Sequence, residues 1–546
     1  MGKGMFVSHQ WTGVDHPDPK KEQFRVLQEA LKNLQSGAAQ VCGNISIELY
    51  TGKQSRVAAE DLTSKPVFVW YDFFCCPQSA AREEDKKKAI GSIPAYVDRC
   101  CYFVILCPHV HHAKHGQLLN MRTWSERGWC RLERMVEELS IAQESSVSIE
   151  IRGASHQAEA ATFDWIQAPV GEGHFTHDSD REKIAEVMKG MIRRKLTFHL
   201  SKGDLHSYRM RLNLQRVHYR SLQVTPIEDI VPAFESDLTD PADFIVAGWL
   251  YQNGFRAVNE RTPEGWTPAC FAALDGNPML LASLLEKRAD VNDRISGTPG
   301  PFGPNSPLLN MCAFLTNNGA IDVLISYRAD VHAKDSFGAT ALVWAAFSNN
   351  VNGIRALRAA GGSPTEPNLL GYSPFRVAAA AGSVEAMKEL LPDTPADEID
   401  LALHASMLQG RGSAEVVSAL INLGADVNHQ LATPLLSPLG IWFGCLSIRH
   451  RWQPSTLSSY AYHHYNATPL MCSIVTGSYE ATAVLLAAGA RTDLQNRNGR
   501  TALDLAGETF CPEYLIRALE GPGAARDKVI KDFTPMLIEK SQLVTF

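Results

Sequence analysis

Long apolar runs are missing from the 546 residues. The longest, such as Val377 to Ala381 and Ala483 to Ala488, fall far short of the ~18 residues a membrane-crossing helix needs, which excludes a helical span. Positive charge is in deficit, with 52 Lys and Arg against 59 Asp and Glu and a formal net charge of -7. That balance gives no general attraction to a phosphate backbone, so no nucleic-acid partner is expected. The twelve cysteines never pair as Cys-x-x-Cys and lie mostly in apolar runs, as at Cys100-Cys101 and Cys312, so they read as reduced core thiols. No phosphate-cradling loop, zinc-protease histidine pair or hydrolase nucleophile elbow occurs, which removes the kinase and protease readings. The opening Met1-Gly2-Lys3-Gly4-Met5-Phe6 has no apolar signal core, and Phe6 stands where a myristoylation signal wants Ser or Thr. The expected location is the cytoplasm, with the nucleus also open to the chain.

What is present is repetition. Gly265-Trp266-Thr267-Pro268, Gly338-Ala339-Thr340-Ala341, Gly371-Tyr372-Ser373-Pro374 and Gly499-Arg500-Thr501-Ala502 share one pattern, and Ser306-Pro307-Leu308 and Asn466-Ala467-Thr468-Pro469-Leu470 fit it less fully. Ser306 to Thr340, Thr340 to Ser373 and Thr468 to Thr501 are 34, 33 and 33 residues apart. The glycine, or Asn466, permits the positive φ of a tight turn, and the hydroxyl two residues on can cap a helix whose next position accepts proline. Small pairs follow (Ala272-Ala273, Ala345-Ala346, Ala378-Ala379), then a second apolar helix closing on Ala289-Asp290-Val291-Asn292, Ala329-Asp330-Val331-His332 or Ala425-Asp426-Val427-Asn428.

This pattern resembles the ankyrin repeat, a turn and two antiparallel helices that must stack to bury their apolar faces. The resemblance covers about 241–520 and implies six to seven units in an all-α solenoid, with an insertion rich in Trp, Tyr and His near 430–465. It implies either a stable rod or a concave surface for a protein partner. Trp266, Tyr372 and Arg500, between turn glycine and cap, are candidate partner anchors, and the two aromatics can equally pack against a neighbouring repeat.

Residues 1–153 alternate β-rich runs with amphipathic stretches. Strands are expected at 5–8, 67–71, 102–106 and 147–151 and helices near 23–34, 83–97 and 127–141, the pattern of an α/β, flavodoxin-like parallel sheet. Ligands of such sheets bind beyond the strand carboxyl ends, which points to Ser8, His9, Trp11, Asp72 and Gln78. Asp72 can bind a ligand or cap its loop, and Gln78 can bind a ligand or close its turn. His109, His111, His112 and His115 lack a completing cysteine or carboxylate at a familiar spacing, so no metal is expected.

Phe6-Val7-Ser8-His9, Ser125 and Trp129-Cys130-Arg131-Leu132-Glu133 together resemble the Toll/interleukin-1 receptor (TIR) superfamily, and Trp70-x-Asp72-x-x-Cys75-x-x-Gln78 is similar to the signature of its heterokaryon-incompatibility relatives. The resemblance implies assembly through this domain, including self-association. In enzymatic members it implies cleavage of NAD as substrate, with the glutamate four residues after the motif tryptophan, here Glu133, as the catalytic carboxylate and Trp129 beside the ligand. Otherwise Glu133 is an ordinary residue of a charged helix. The loop after Tyr71 departs from the TIR pattern. Residues 154–240 read as a linker and a basic helical bridge that caps the first repeat or meets an anionic surface, and 521–546 as a tail.

Overall fold

In this computed structural model the described residues are 2–51, 57, 59–78, 82–141, 147–160, 164–297, 302–408, 413–509 and 511–533. They form two compact units, one of residues 1–42 and 55–235, the other of residues 43–54 and 236–546.

The first unit holds strands β1 (Lys3–His9), β2 (Val41–Cys42), β3 (Val67–Tyr71), β4 (Tyr102–Leu106), β5 (Val110–His111), β6 (Leu118–Leu119), β7 (Val147–Gly153) and β8 (His156–Glu159). Six of them make one sheet in the order β2-β8-β7-β4-β1-β3, and β5 and β6 pair separately. All five residues of β4 are buried, as befits a central strand covered on both faces. Met5, Val7, Val104, Leu106, Ile149 and Ile151 alternate onto one face, against Leu27, Ala30 and Leu34 of the helix Glu22–Ser36. On the other strand positions Phe6 stacks between Trp70 (4.3 Å) and Phe103 (5.6 Å).

The sheet is mixed, which corrects the expectation of parallel strands throughout. β7 and β8 run antiparallel. Only Ala154 and Ser155 separate them, and a parallel return needs a crossover of a dozen residues or more. The sheet therefore extends past residue 153. The supposed bridge 154–240 also belongs to this unit as far as Glu235. Three of its arginines are paired there: Arg194 meets Asp98 at 2.5 Å, Arg211 meets Glu138 at 2.8 Å and Arg220 meets Glu172 at 2.7 Å.

The second unit is a stack of helix pairs. The first helices (Pro268–Asp275, Leu308–Phe314, Ala341–Phe347, Pro374–Ala381, Asp397–Leu408, Pro469–Val475 and Ala502–Glu508) pack each on the next, and their partner helices from Pro278–Glu286 to Tyr479–Ala487 do the same. Helix Pro241–Asn253 packs against Pro278–Glu286 at the start, and Ala524–Phe533 packs against Tyr479–Ala487 at the end, which shields the terminal apolar faces.

Local chemistry explains the units. Gly265, Gly338, Gly371, Asn466 and Gly499 have φ of 83°, 69°, 80°, 54° and 70°. At Gly338 a Cβ would also lie 2.8 Å from the Leu369 side chain of the next turn, so conformation and space both require glycine. The hydroxyls of Thr267, Ser373, Thr468 and Thr501 accept the backbone N–H three residues on, whereas Thr340 makes no such cap. Asp335, Asn368 and Asn496, each three residues before a turn glycine, accept two backbone N–H groups of the turn through one oxygen. Adjacent units are stitched by Asp330 N–H donating to Asn292 Oδ1 (2.8 Å), and the same bond recurs from Arg491 to Asn428 (2.8 Å) across the insertion.

The insertion is a helical hairpin, Pro438–His450 packed on Thr456–His463. The helix Ile45–Thr51 packs against it, and Glu48 accepts hydrogen bonds from Ser455 (2.8 Å) and Arg449.

One position is out of character. Where other units place Gly276, Asn349, Gly382 or Gly477, Thr316 holds a φ of 60°. Left-handed backbone costs a β-branched residue roughly 1–2 kcal/mol. Thr316→Asn is expected to stabilise the unit by about 1 kcal/mol, read as a higher urea midpoint.

Candidate functional site

The carboxyl ends of β1 and β3 lie side by side because the strands pair in parallel, with Val7 opposite Tyr71. The residues that follow, Ser8 and His9 on one strand and Asp72 on the other, are thereby neighbours. His9 Nε2 lies 2.7 Å from Asp72 Oδ1, and the Trp11 indole N–H donates to Asp72 Oδ2 at 3.0 Å. The Tyr71 hydroxyl stands 3.4 Å from His9 Nδ1, and its burial raises its pKa. Burial alone pushes the Asp72 carboxyl up, but hydrogen bonds from His9, Trp11 and the Phe73 N–H outweigh it and hold the group below its ordinary range.

Helices Met121–Glu126 and Gly128–Glu138 supply the second half. Ser8 is 1% exposed, and its Oγ accepts the Trp124 indole N–H at 3.0 Å. The Ser8 hydroxyl hydrogen-bonds Glu133, which is half-buried. Burial pushes the Glu133 carboxyl up to about 7, and the negative charge of Asp72 adds to the rise, while Ser8, His9 and Arg127 oppose it. Cys130, one turn before Glu133, is buried, and its thiol is pushed up by burial first and by Glu133 second. The result is a chain from Trp124 N–H to Ser8 to Glu133 beside the His9–Asp72 pair. It combines a carboxyl able to exchange a proton near neutrality with an ionised carboxylate.

Two residues considered with these serve other partners. The Gln78 side chain is exposed and donates to the Cys76 (2.9 Å) and Phe73 (3.4 Å) carbonyls, closing its turn. The Trp129 indole N–H donates to Asp180 at 3.1 Å. Sequence reasoning missed Trp124, which holds Ser8. The one signal for it was an indole three residues after Met121 in a segment otherwise polar. Among the described residues no group of three or more His, Cys, Asp or Glu side chains is placed to hold a metal ion.

In the repeat stack the residue after the turn glycine is buried at Trp266 and Ala339, half-buried at Tyr372 and exposed at Arg500. Trp266 is 0% exposed, packed on Phe271 and Phe302, and offers no surface to a partner. Tyr372 is half-buried under the Arg376 guanidinium, 5.5 Å from its ring centroid. Arg500 is exposed and pairs with Glu508 at 2.9 Å. The tips are formed instead by residues before the glycine: Phe337 is 38% and Leu369 59% exposed, and the Leu369 N–H donates to the Phe337 carbonyl at 2.9 Å.

Residues 308–400 match the family model for ankyrin repeats (3 copies). The E3 ubiquitin-protein ligase KEG of Arabidopsis thaliana is 22% identical over 303 residues, 50% of this chain, and the chain spans only 18% of that protein's length. The crystal structure of the human ASB11 ankyrin repeat domain aligns with 47% of this chain and 100% of its own at 20% identity and a TM-score of 0.34. No helix among the described residues is long and apolar enough to cross a membrane. Ankyrin repeats are present in the C-terminal region of the chain.

Proposed function

We propose that the chain is an interaction adaptor whose ankyrin stack binds a protein partner along the side carrying the first helices and turn tips. The observation that carries this reading is the adjoining pair of exposed tips, Phe337 and Leu369, on a scaffold fixed by buried caps and inter-repeat bonds. Apolar anchors on a rigid frame bind at little cost in conformational entropy. Arg500 lies on a later tip of the same series. Quantitative affinity purification of Phe337→Asp/Leu369→Asp against Met279→Asp, on the exposed side of a second helix, tests it. The reading expects a partner retained by the latter and lost about tenfold or more from the former. Equal recovery by both contradicts it.

The N-terminal unit is proposed as the TIR-like assembly domain, with NAD cleavage as a second activity switched on by assembly. That second reading is supported by Glu133, kept near neutrality on Ser8 and beside His9 and Asp72. Departure of nicotinamide leaves positive charge on the ribose, which a carboxylate at Glu133 would stabilise. Nicotinamide release from NAD by wild type, absent in Glu133→Ala, is the expected result. Equal release by both proteins, or none by either at high concentration, sinks it.

A further inference from the structure

The second unit holds a half-open cavity of about 270 Å³. Its floor is the first-helix side of successive repeats, with Trp344 and Phe347 from one and Val377 from the next. Two walls come from outside the repeats: Leu49 of the helix Ile45–Thr51 and Trp442 of the inserted hairpin. Helix packing alone leaves an open groove on this side of a stack. Here two non-repeat segments wall part of it into a half-open pocket, of a size suited to a small molecule.

The lining also states the chemistry. Asn368 uses its Oδ1 to accept the N–H groups of Leu370 and Tyr372, both at 3.0 Å, which leaves its amide nitrogen as a donor. Among the described residues neither that nitrogen, the Tyr372 hydroxyl nor the Trp442 indole N–H has a hydrogen-bond partner, and all three residues line the cavity. Three groups able to donate amid aromatic walls call for a ligand with an acceptor. A full charge is not called for. Arg376, stacked on Tyr372, is held by both Glu398 oxygens at 2.6 and 2.8 Å, and no lining residue is charged.

We infer that this cavity binds a small, neutral, largely aromatic molecule through a carbonyl-type acceptor that takes hydrogen bonds from Tyr372 and its neighbours. Phe337 and Leu369, the tips proposed above for a protein partner, also line this cavity, and binding of a small molecule to the chain alone is read without that partner.

Benzophenone, two rings and one carbonyl, is a probe of this class that also inserts covalently on irradiation. Photolabelling of the full chain is expected to saturate, with adducts mapped by mass spectrometry to peptides carrying Trp344, Tyr372 or Trp442. Tyr372→Phe keeps the ring and removes the hydroxyl, and is expected to weaken saturation about fivefold to tenfold. Diphenylmethane lacks the carbonyl and should compete equally with both proteins, which also reports that the variant's cavity is intact. Labelling of wild type that fails to saturate or scatters over other surfaces overturns the inference, as does equal saturation of wild type and Tyr372→Phe.

Discussion

Lowering the pH from 7 to 5.5 is expected to cost the repeat unit about 4 kcal/mol of stability, roughly 1.3 kcal/mol for each of three buried histidines. Burial, with His429 adding, lowers His404 to about 3, and burial likewise lowers His463 and His464 to about 4. The imidazoles are therefore neutral in the folded unit at neutral pH. In the unfolded chain they titrate near ~6.5, so as pH falls below that value the unfolded state takes up protons first. Stability is intact above about 6.5 and declines down to the folded values near 4 and 3. The network has little room to adapt. His404 Nε2 lies 3.1 Å from the His429 carbonyl and its Nδ1 lies 3.7 Å from the Cys472 sulfur, so a second ring proton would meet the thiol that the neutral ring accepts from. Urea unfolding of the full chain at pH 7.0 and 5.5 measures the effect, and His404→Gln should flatten the difference by about a third.

Glu133→Gln is expected to act with the opposite pH sign in the first unit, stabilising it by about 3 kcal/mol at pH 8 and leaving it unchanged near pH 4.5. The folded carboxyl titrates at about 7, above its ordinary value of 4.5, because burial disfavours the charge. Folding therefore binds the proton more tightly than the unfolded chain does, and stability is lost as pH rises from 4.5 through 7. Glutamine removes that cost and keeps an oxygen for the Ser8 hydroxyl. A carboxyl whose surroundings cost stability fits the functional role proposed for Glu133. Thermal unfolding of wild type and variant at pH 4.5 and pH 8 checks both arms, and a pH-independent difference would refute the assignment of the proton to Glu133.

Much of the repeat region was legible because its determinants are local. A positive-φ residue, a hydroxyl cap two positions later and a proline at the first helical turn act within four residues, and the structure has all three at Gly371, Ser373 and Pro374. The strands of the first unit were equally readable, since β-rich apolar runs such as Tyr102–Leu106 announce burial. Direction was not. A period of two is the same for parallel and antiparallel strands, so only the two-residue link of β7 to β8 carried that information. Side-chain aim after a turn also eluded the pattern, which left Trp266 open as a partner anchor or a packing residue, and it is buried. Least legible was the place of residues 43–54 in the repeat unit: Glu48 finds Arg449 and Ser455 more than 400 residues away, beyond any windowed pattern. In the candidate site, Ser8, His9 and Asp72 could be found from strand ends, whereas Trp124 became visible only through its bond to Ser8.

A photo-crosslinking amino acid placed at position 369 in the full chain, with position 279 as the comparison, tests the adaptor reading most directly. The account predicts a discrete crosslinked partner from position 369 and none from position 279. A partner crosslinked from 279 and absent from 369 would contradict it.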